Sequence, residues 1–162
     1  MRILAIDPGF DRLGMAVVEG DPSRPTLLWS TCVLPEKGEV SERLAHVSRA
    51  ITSAIAAHAP DALAIETLFF NMNKKTVMGV AQARGAILAA AGIAMVPVIE
   101  CSPQEIKLAV TGHGASSKAS IAGMIPHLLT LPDRKMGDDE YDAIAVGITS
   151  LAKGPRALPE RQ

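Results

Sequence analysis

Asp7 closes an apolar run, Ile3-Leu4-Ala5-Ile6, and leads into a Pro8-Gly9 turn; Glu66 closes a second such run, Ala62-Leu63-Ala64-Ile65. Further along, Asp138, Asp139 and Asp142 crowd one short segment. A carboxylate at the end of a buried strand is costly unless it is paired or bound to a metal. Several in one cleft repel one another and raise each other's pKa, so the group stays ionised only with divalent cations between its members. Hard oxygen donors select Mg²⁺ or Mn²⁺ over zinc. Two such ions ~4 Å apart suit in-line phosphoryl displacement, one lowering the pKa of the attacking water and the other stabilising the leaving oxygen. The reaction class so indicated is phosphodiester hydrolysis.

Such chemistry needs elements that deliver the acids to one place. Three extended runs, Arg2 to Asp7, Leu13 to Glu19 and Thr26 to Val33, are separated by turn residues and read as an antiparallel meander. From Ser41 the period becomes helical, through Leu44, Val47, Ile51, Ile55 and His58, until Pro60. Ala62 to Glu66 is wholly apolar before its acid, as a central strand covered on both faces should be. A helix capped by Asn73 is expected to run to about Gly92, then a strand from Met95 to Ile99 that ends on Glu100. Ser102-Pro103-Gln104-Glu105 is a capping box with proline at the first helical position, and Gly112-His113-Gly114 ends that helix. Ser117 opens another helix, interrupted or kinked near Pro126, with a loop from Leu131 to Gly137. The last helix spans Asp139 to about Ala152, with Asp138 as its cap. Asp142 shares a helical face with either Asp139 or Asp138, and periodicity does not choose between them. First-turn acids also have a purely structural use, since they complement the helix dipole. The whole is an α/β fold with a mixed five-stranded sheet and helices on both faces, over residues 1–152, followed by a flexible tail, 153–162.

At 162 residues the chain suits one domain. Sixteen basic against seventeen acidic side chains argue against a protein that coats polyanions by bulk charge, while leaving room for a local basic face. Cys32 and Cys101 lack metal-site spacing and read as buried small hydrophobes in a reducing compartment, by default the cytoplasm. No signal peptide fits the N-terminus, because Asp7 interrupts the apolar run, and no stretch reaches the ~20 apolar residues of a membrane span.

Five motifs, in order, resemble the RuvC family of Holliday-junction resolvases, whose members share the ribonuclease H-like fold. They are Ile6-Asp7-Pro8-Gly9 with Gly14; Ile65-Glu66 with Phe69 and Asn73; Ala81-Gln82-Ala83-Arg84-Gly85-Ala86; Lys107 with Gly112-x-Gly114-x-x-x-Lys118; and Asp139-x-x-Asp142-Ala143. Any one is weak; the set covers residues 1 to about 152. The resemblance implies that Asp7, Glu66, Asp139 and Asp142 are the catalytic ligands of two Mg²⁺ ions, with Mn²⁺ as a substitute. It also favours Asp139 over Asp138 and makes Asp7 the bridging ligand. Lys107 and Lys118 fall on positions associated with DNA binding and catalysis, where a lysine offsets charge developing on the scissile phosphate. Phe69 falls where family members insert a side chain at the junction, and Phe70 is placed to share that role. The first loop departs from the commoner family pattern of Ser-Arg and then Thr: Phe10-Asp11-Arg12-Leu13-Gly14 adds an acid near the metal ligands.

Lys74, Lys75, Arg84 and Asn73 near Phe69 are further candidate DNA contacts. On the helix from Lys74, a stripe of Val77, Val80, Ala81, Ile87 and Leu88 is expected to face the sheet. Gly79, Ala83, Ala86 and Ala90 would form a small-residue face for a homodimer, which suits paired cuts in a two-fold substrate. The expected activity is paired symmetric nicking of a four-way DNA junction, with a branch-migration helicase complex as an optional further partner. The competing readings are a catalytically silent junction-binding dimer and a ribonuclease H-like nuclease acting on structured RNA.

Overall fold

A computed structural model describes residues 1–67 and 74–154, with side chains of the helix beginning at Lys74 described from Val77 onward. The elements are β1 (Arg2–Asp7), β2 (Leu13–Asp21), β3 (Arg24–Val33), α1 (Val40–His58), β4 (Ala62–Glu66), α2 (Lys74–Ile93), β5 (Val98–Cys101), α3 (Pro103–Thr111), α4 (Lys118–Leu128) and α5 (Asp138–Lys153). They form one five-stranded sheet in the order β3-β2-β1-β4-β5. β1, β2 and β3 are antiparallel neighbours, whereas β4 lies parallel to β1 and β5 parallel to β4. The expected mixed sheet, helix-covered on both faces, is therefore present.

The two faces of the sheet differ in side-chain size, and this decides what each can carry. Leu4, Ile6, Leu13, Met15, Val17, Leu63 and Ile65 pack toward α1 and α2, against Val47, Ile51, Ile87, Ala90 and Ala91. The opposite face offers Ala5, Ala16, Ala62 and Ala64 among its strand residues, so α5 lies close to the strands with Ala143, Ile144 and Val146 in the core. α5 crosses from β3, where Ser30 Oγ donates to Glu140 Oε2 at 2.7 Å, to β5, where Lys153 Nζ donates to the Glu100 carbonyl at 2.7 Å.

β3 is an open edge protected in two ways. A bulge between Val17 and Val18 leaves Leu28 without a partner on β2. Farther along, Arg134 Nη2 donates to the Ser30 carbonyl at 2.9 Å and to Glu140 Oε2 at 2.6 Å.

Several boundaries differ from expectation. β5 begins at Val98, not Met95, because Met95 has φ 55° and Val96 N–H still donates to the Ala91 carbonyl, so the segment closes α2. Glu100 accordingly lies within the strand. α4 continues past Pro126 to Leu128; the proline sits so near its end that no break results. α5 is capped by Gly137, whose N–H donates to Glu140 Oε1 at 3.1 Å, and Asp138 is its first residue. The small-residue face of α2 turns inward: Ala83 and Ala90 are buried, and a Cβ on Gly79 would lie 2.8 Å from Phe10 Cγ. The outward residues are instead Met78, Ala81, Gln82, Gly85, Ala89, Gly92 and Ile93. Among the described residues no helix is long and apolar enough to cross a membrane. Residues 155–162, which make up nearly all of the expected tail, lie outside the described residues.

Candidate active site

β1 and β4 run side by side with Ile6 in register with Ile65, so Asp7 and Glu66 leave the sheet together at one edge. The third and fourth acids arrive from the facing helix. Gly14, opposite Asp7 on β2, makes this possible: a Cβ there would run into the backbone carbonyl of Asp139. Its lack of a side chain lets the first turn of α5 rest on the strand, with Asp139 and Asp142 facing the edge.

The four acids act on one another. Burial, then the charges of Asp142, Glu66 and Asp139, push the Asp7 carboxyl up to about 7. Glu66 is raised as well, by burial and then by Asp142. Asp138 is exposed and is not among the charges acting on Asp7, so the geometry groups Asp139 rather than Asp138 with the cluster.

Two cations sit on the cluster from opposite sides. On the β4 side, Lys118 Nζ is hydrogen-bonded to Asp142 Oδ2, which holds the lysine still more firmly protonated. On the β3 side, Arg12 donates to Asp139 Oδ2 from Nε at 2.7 Å and Nη2 at 2.5 Å. Cys32 Sγ lies 3.6 Å from the same oxygen, and burial followed by the Asp139 charge raises its thiol pKa. With Asp139 and Asp142 each turned onto a cation, no three acidic, histidine or cysteine side chains among the described residues converge tightly enough to grip one ion in this arrangement. The donor set nonetheless fits a hard divalent metal: four carboxylates, the most buried of which is pushed up to about 7 by burial and by its anionic neighbours.

Beside the acids opens a cleft of about 300 Å³, lined by Glu66, Asp142, Lys107, Lys118, Ser117 and Ile121 among others. Lys107 and Lys118 thus share one cavity with two of the acids. The loop between α3 and α4 is shaped by Thr111, whose Oγ1 lies 2.7 Å from Ser116 Oγ and also donates to the His113 carbonyl. Ser117 caps α4 through the Ser120 N–H, which sets Lys118 at its first turn. His113 itself is exposed on that loop.

Other sequence expectations fare differently. Arg84 is not a free phosphate contact: it is buried, donates to the Glu66 carbonyl at 2.7 Å and pairs with Glu100 at 2.8 Å, so it braces the strand end that carries Glu66. Asp11 does not add charge to the cluster, since it turns away onto Arg43 of α1 at 2.6 Å. The Arg43 guanidinium also lies 4.0 Å from the centre of the Phe10 ring, so Phe10 is held between Arg43 and Gly79 and anchors the loop after Asp7 to both α1 and α2. Cys32 is half-buried beside Asp139 and is no core hydrophobe, whereas Cys101 is buried as expected. Phe69, Phe70 and Asn73 lie outside the described residues, as do the side chains of Lys74 and Lys75. Arg12, Cys32 and Arg43 are the site residues that sequence reasoning missed. The available signal for Arg12 was its place between Asp7 and Gly14, within the first motif.

The family model for crossover junction endodeoxyribonuclease RuvC matches residues 3–150. The chain belongs to the RuvC family. The RuvC of Salinispora arenicola is 41% identical over 156 residues, spanning 95% of this chain and 89% of that one. The RuvC structure from Thermus thermophilus superposes with a TM-score of 0.86 at 29% identity, over 98% of both chains. The same organism's RuvC in complex with a Holliday-junction substrate gives 0.85 at 30% identity, over 92% of each chain. The ribonuclease H-like fold expected from the motifs is the fold of this RuvC chain.

Proposed function

We propose that this chain is a metal-dependent endodeoxyribonuclease that resolves four-way DNA junctions by paired symmetric nicks. The observation that carries the reading is the convergence of Asp7, Glu66, Asp139 and Asp142 beside Lys107 and Lys118, in a member of the RuvC family. The four carboxylates would hold two Mg²⁺ ions, which supply a water of lowered pKa and a counter-charge for the leaving oxygen. Asp7, flanked by the other three acids, is the natural shared ligand. Lys107 and Lys118 line the cleft where the strand would lie, with ammonium groups able to bind a phosphate and offset its developing charge. Arg84 and Phe10 act at one remove, holding the segments that end in Glu66 and Asp7. Residues 69, 70 and 73 to 75 adjoin Glu66 in sequence and are proposed to reach the branch point. The cytoplasm is the proposed location, in keeping with a DNA substrate and with two free cysteines among the described residues.

Asp7→Asn should lower nicking of a synthetic four-way junction in Mg²⁺ by on the order of a hundredfold to a thousandfold, while leaving junction binding intact. Retained cleavage would remove the assignment. Junction, duplex and structured RNA compared in one assay separate a resolvase from a general nuclease.

Two cuts require two sites, and a homodimer through the outward face of α2 would supply them. That face combines the exposed Met78, Ile93 and nearby Met95 with small residues at Ala81, Gly85 and Ala89, and a Cβ on Gly85 would meet nothing within 4 Å. Gly85→Leu should therefore leave the monomer fold intact and shift sedimentation from dimer to monomer; an unchanged dimer would exclude this face.

A further inference from the structure

Arg12 is poorly placed for a structural arginine. Its side chain stays 55% exposed while paired. Nε and Nη2 both converge on one oxygen of Asp139, without the two-oxygen fork that makes an arginine–carboxylate pair strong. Exposed pairs of this kind stabilise a fold little. The guanidinium also stands beside Gly137, the cap of α5, where a helix N-terminus disfavours a cation. What Arg12 does occupy is one of the two oxygens through which Asp139 could hold a metal, and its charge opposes a cation at either.

Lys118 does the same to Asp142 from the other side of the cluster. When two divalent ions match the charge of four carboxylates, both side chains lose their partners and become surplus positive charge at the rim of the site. Their natural counter-ions are then the phosphates of the bound strand. We propose that Arg12 is a transferable cation, paired with Asp139 in the free protein and handed to a backbone phosphate of the DNA when Asp139 turns to metal, so that the strand is gripped on the β3 side as Lys118 grips it on the β4 side. This inference rests on the metal-nuclease reading above. It makes metal and DNA uptake mutually favourable, because each removes the competitor of the other.

Two binding measurements test it. Mn²⁺ titrated into DNA-free protein and followed by electron paramagnetic resonance should bind Arg12→Gln about two- to fivefold more tightly than wild type, the range expected for loss of an exposed competing pair. Binding of a four-way junction in Ca²⁺, measured against salt, should weaken in Arg12→Gln with the logarithmic slope reduced by about 0.9, the value of one phosphate contact. Arg12→Lys keeps the charge and should keep the wild-type slope, which guards against a loss caused by misfolding. An unchanged slope in Arg12→Gln, or Mn²⁺ affinity that is unchanged or lower, would overturn the transfer. Wild-type protein that neither binds Mn²⁺ nor nicks the junction would instead remove the reading on which it rests.

Discussion

Asp7 and Glu140 are both carboxylates withdrawn from solvent, at opposite sides of the first turn of α5, and their environments push them in opposite directions. Glu140 is held down to about 2, first by Arg134, with Ser30 and the Gly137 N–H adding to the effect against the cost of burial. Asp7 is pushed up to about 7 by burial and by three acidic neighbours, against the opposing charge of Lys118. One acid is fully satisfied by the fold. The other is left wanting a charge that the fold does not supply, which is the mark of a site built for something that arrives later.

The contrast can be broken from either end. The largest stability effect should come from Glu140→Gln, which leaves Arg134 without its partner at the sheet edge. A loss of about 2–3 kcal/mol in urea unfolding is expected, below the range for a fully buried pair because Arg134 is itself partly exposed. Asp7→Asn should do the reverse in metal-free protein at pH 8, raising stability by about 1–2 kcal/mol by removing a charge that is costly to bury and is repelled by its neighbours, in a site open to water. Equal signs for the two variants would show that the carboxylates are not opposed in this way.

The pH profile gives the smallest and most detailed test. Glu140 has a folded pKa below its ordinary 4.5, so its contribution is complete above about pH 4.5 and is lost as pH falls toward 2. Asp7 has a folded pKa above its ordinary 3.8, so its penalty is absent below about pH 3.8, grows as pH rises and is complete above about 7. Metal-free wild type should therefore be most stable near pH 4–5 as far as these two groups decide it. Asp7→Asn should flatten the limb above that maximum and Glu140→Gln the limb below it, both read from thermal unfolding.

Much of the site was legible because strand ends and motif order report directly on which acids can meet. Ile3 to Asp7 and Ala62 to Glu66 read as central strands, and their parallel pairing follows from that. Arg84 departs from the expected phosphate contact because a basic residue in a helix looks the same in sequence whether it faces solvent or braces a strand end. Burial against Glu66 and Glu100 is a tertiary fact with no local signature. The same limit hid part of the inward side of α2: Ile87 and Leu88 pack on the core as expected, but Ala83 and Ala90 join them, Ala81 faces out, and Gly79 seats Phe10 instead of another helix. Met95 adjoins the apolar run that forms β5, and its left-handed backbone, which places it in the closing turn of α2, has no mark in the sequence. The Arg12–Asp139 pair joins residues far apart in sequence, and spacing alone could not reveal it.

The bare backbone at Gly14 has a mechanical consequence. Because the Asp139 carbonyl rests directly on it, the half of the site carried by the sheet and the half carried by α5 meet backbone to backbone, with no compressible side chain between them. The turn that holds two of the acids therefore meets the strand through hard backbone contact and not through a deformable side chain. Adaptation to a branched substrate then falls to the exposed side chains at the rim, Arg12 and Lys118, so that the particle reads as a stiff anvil with adjustable grips.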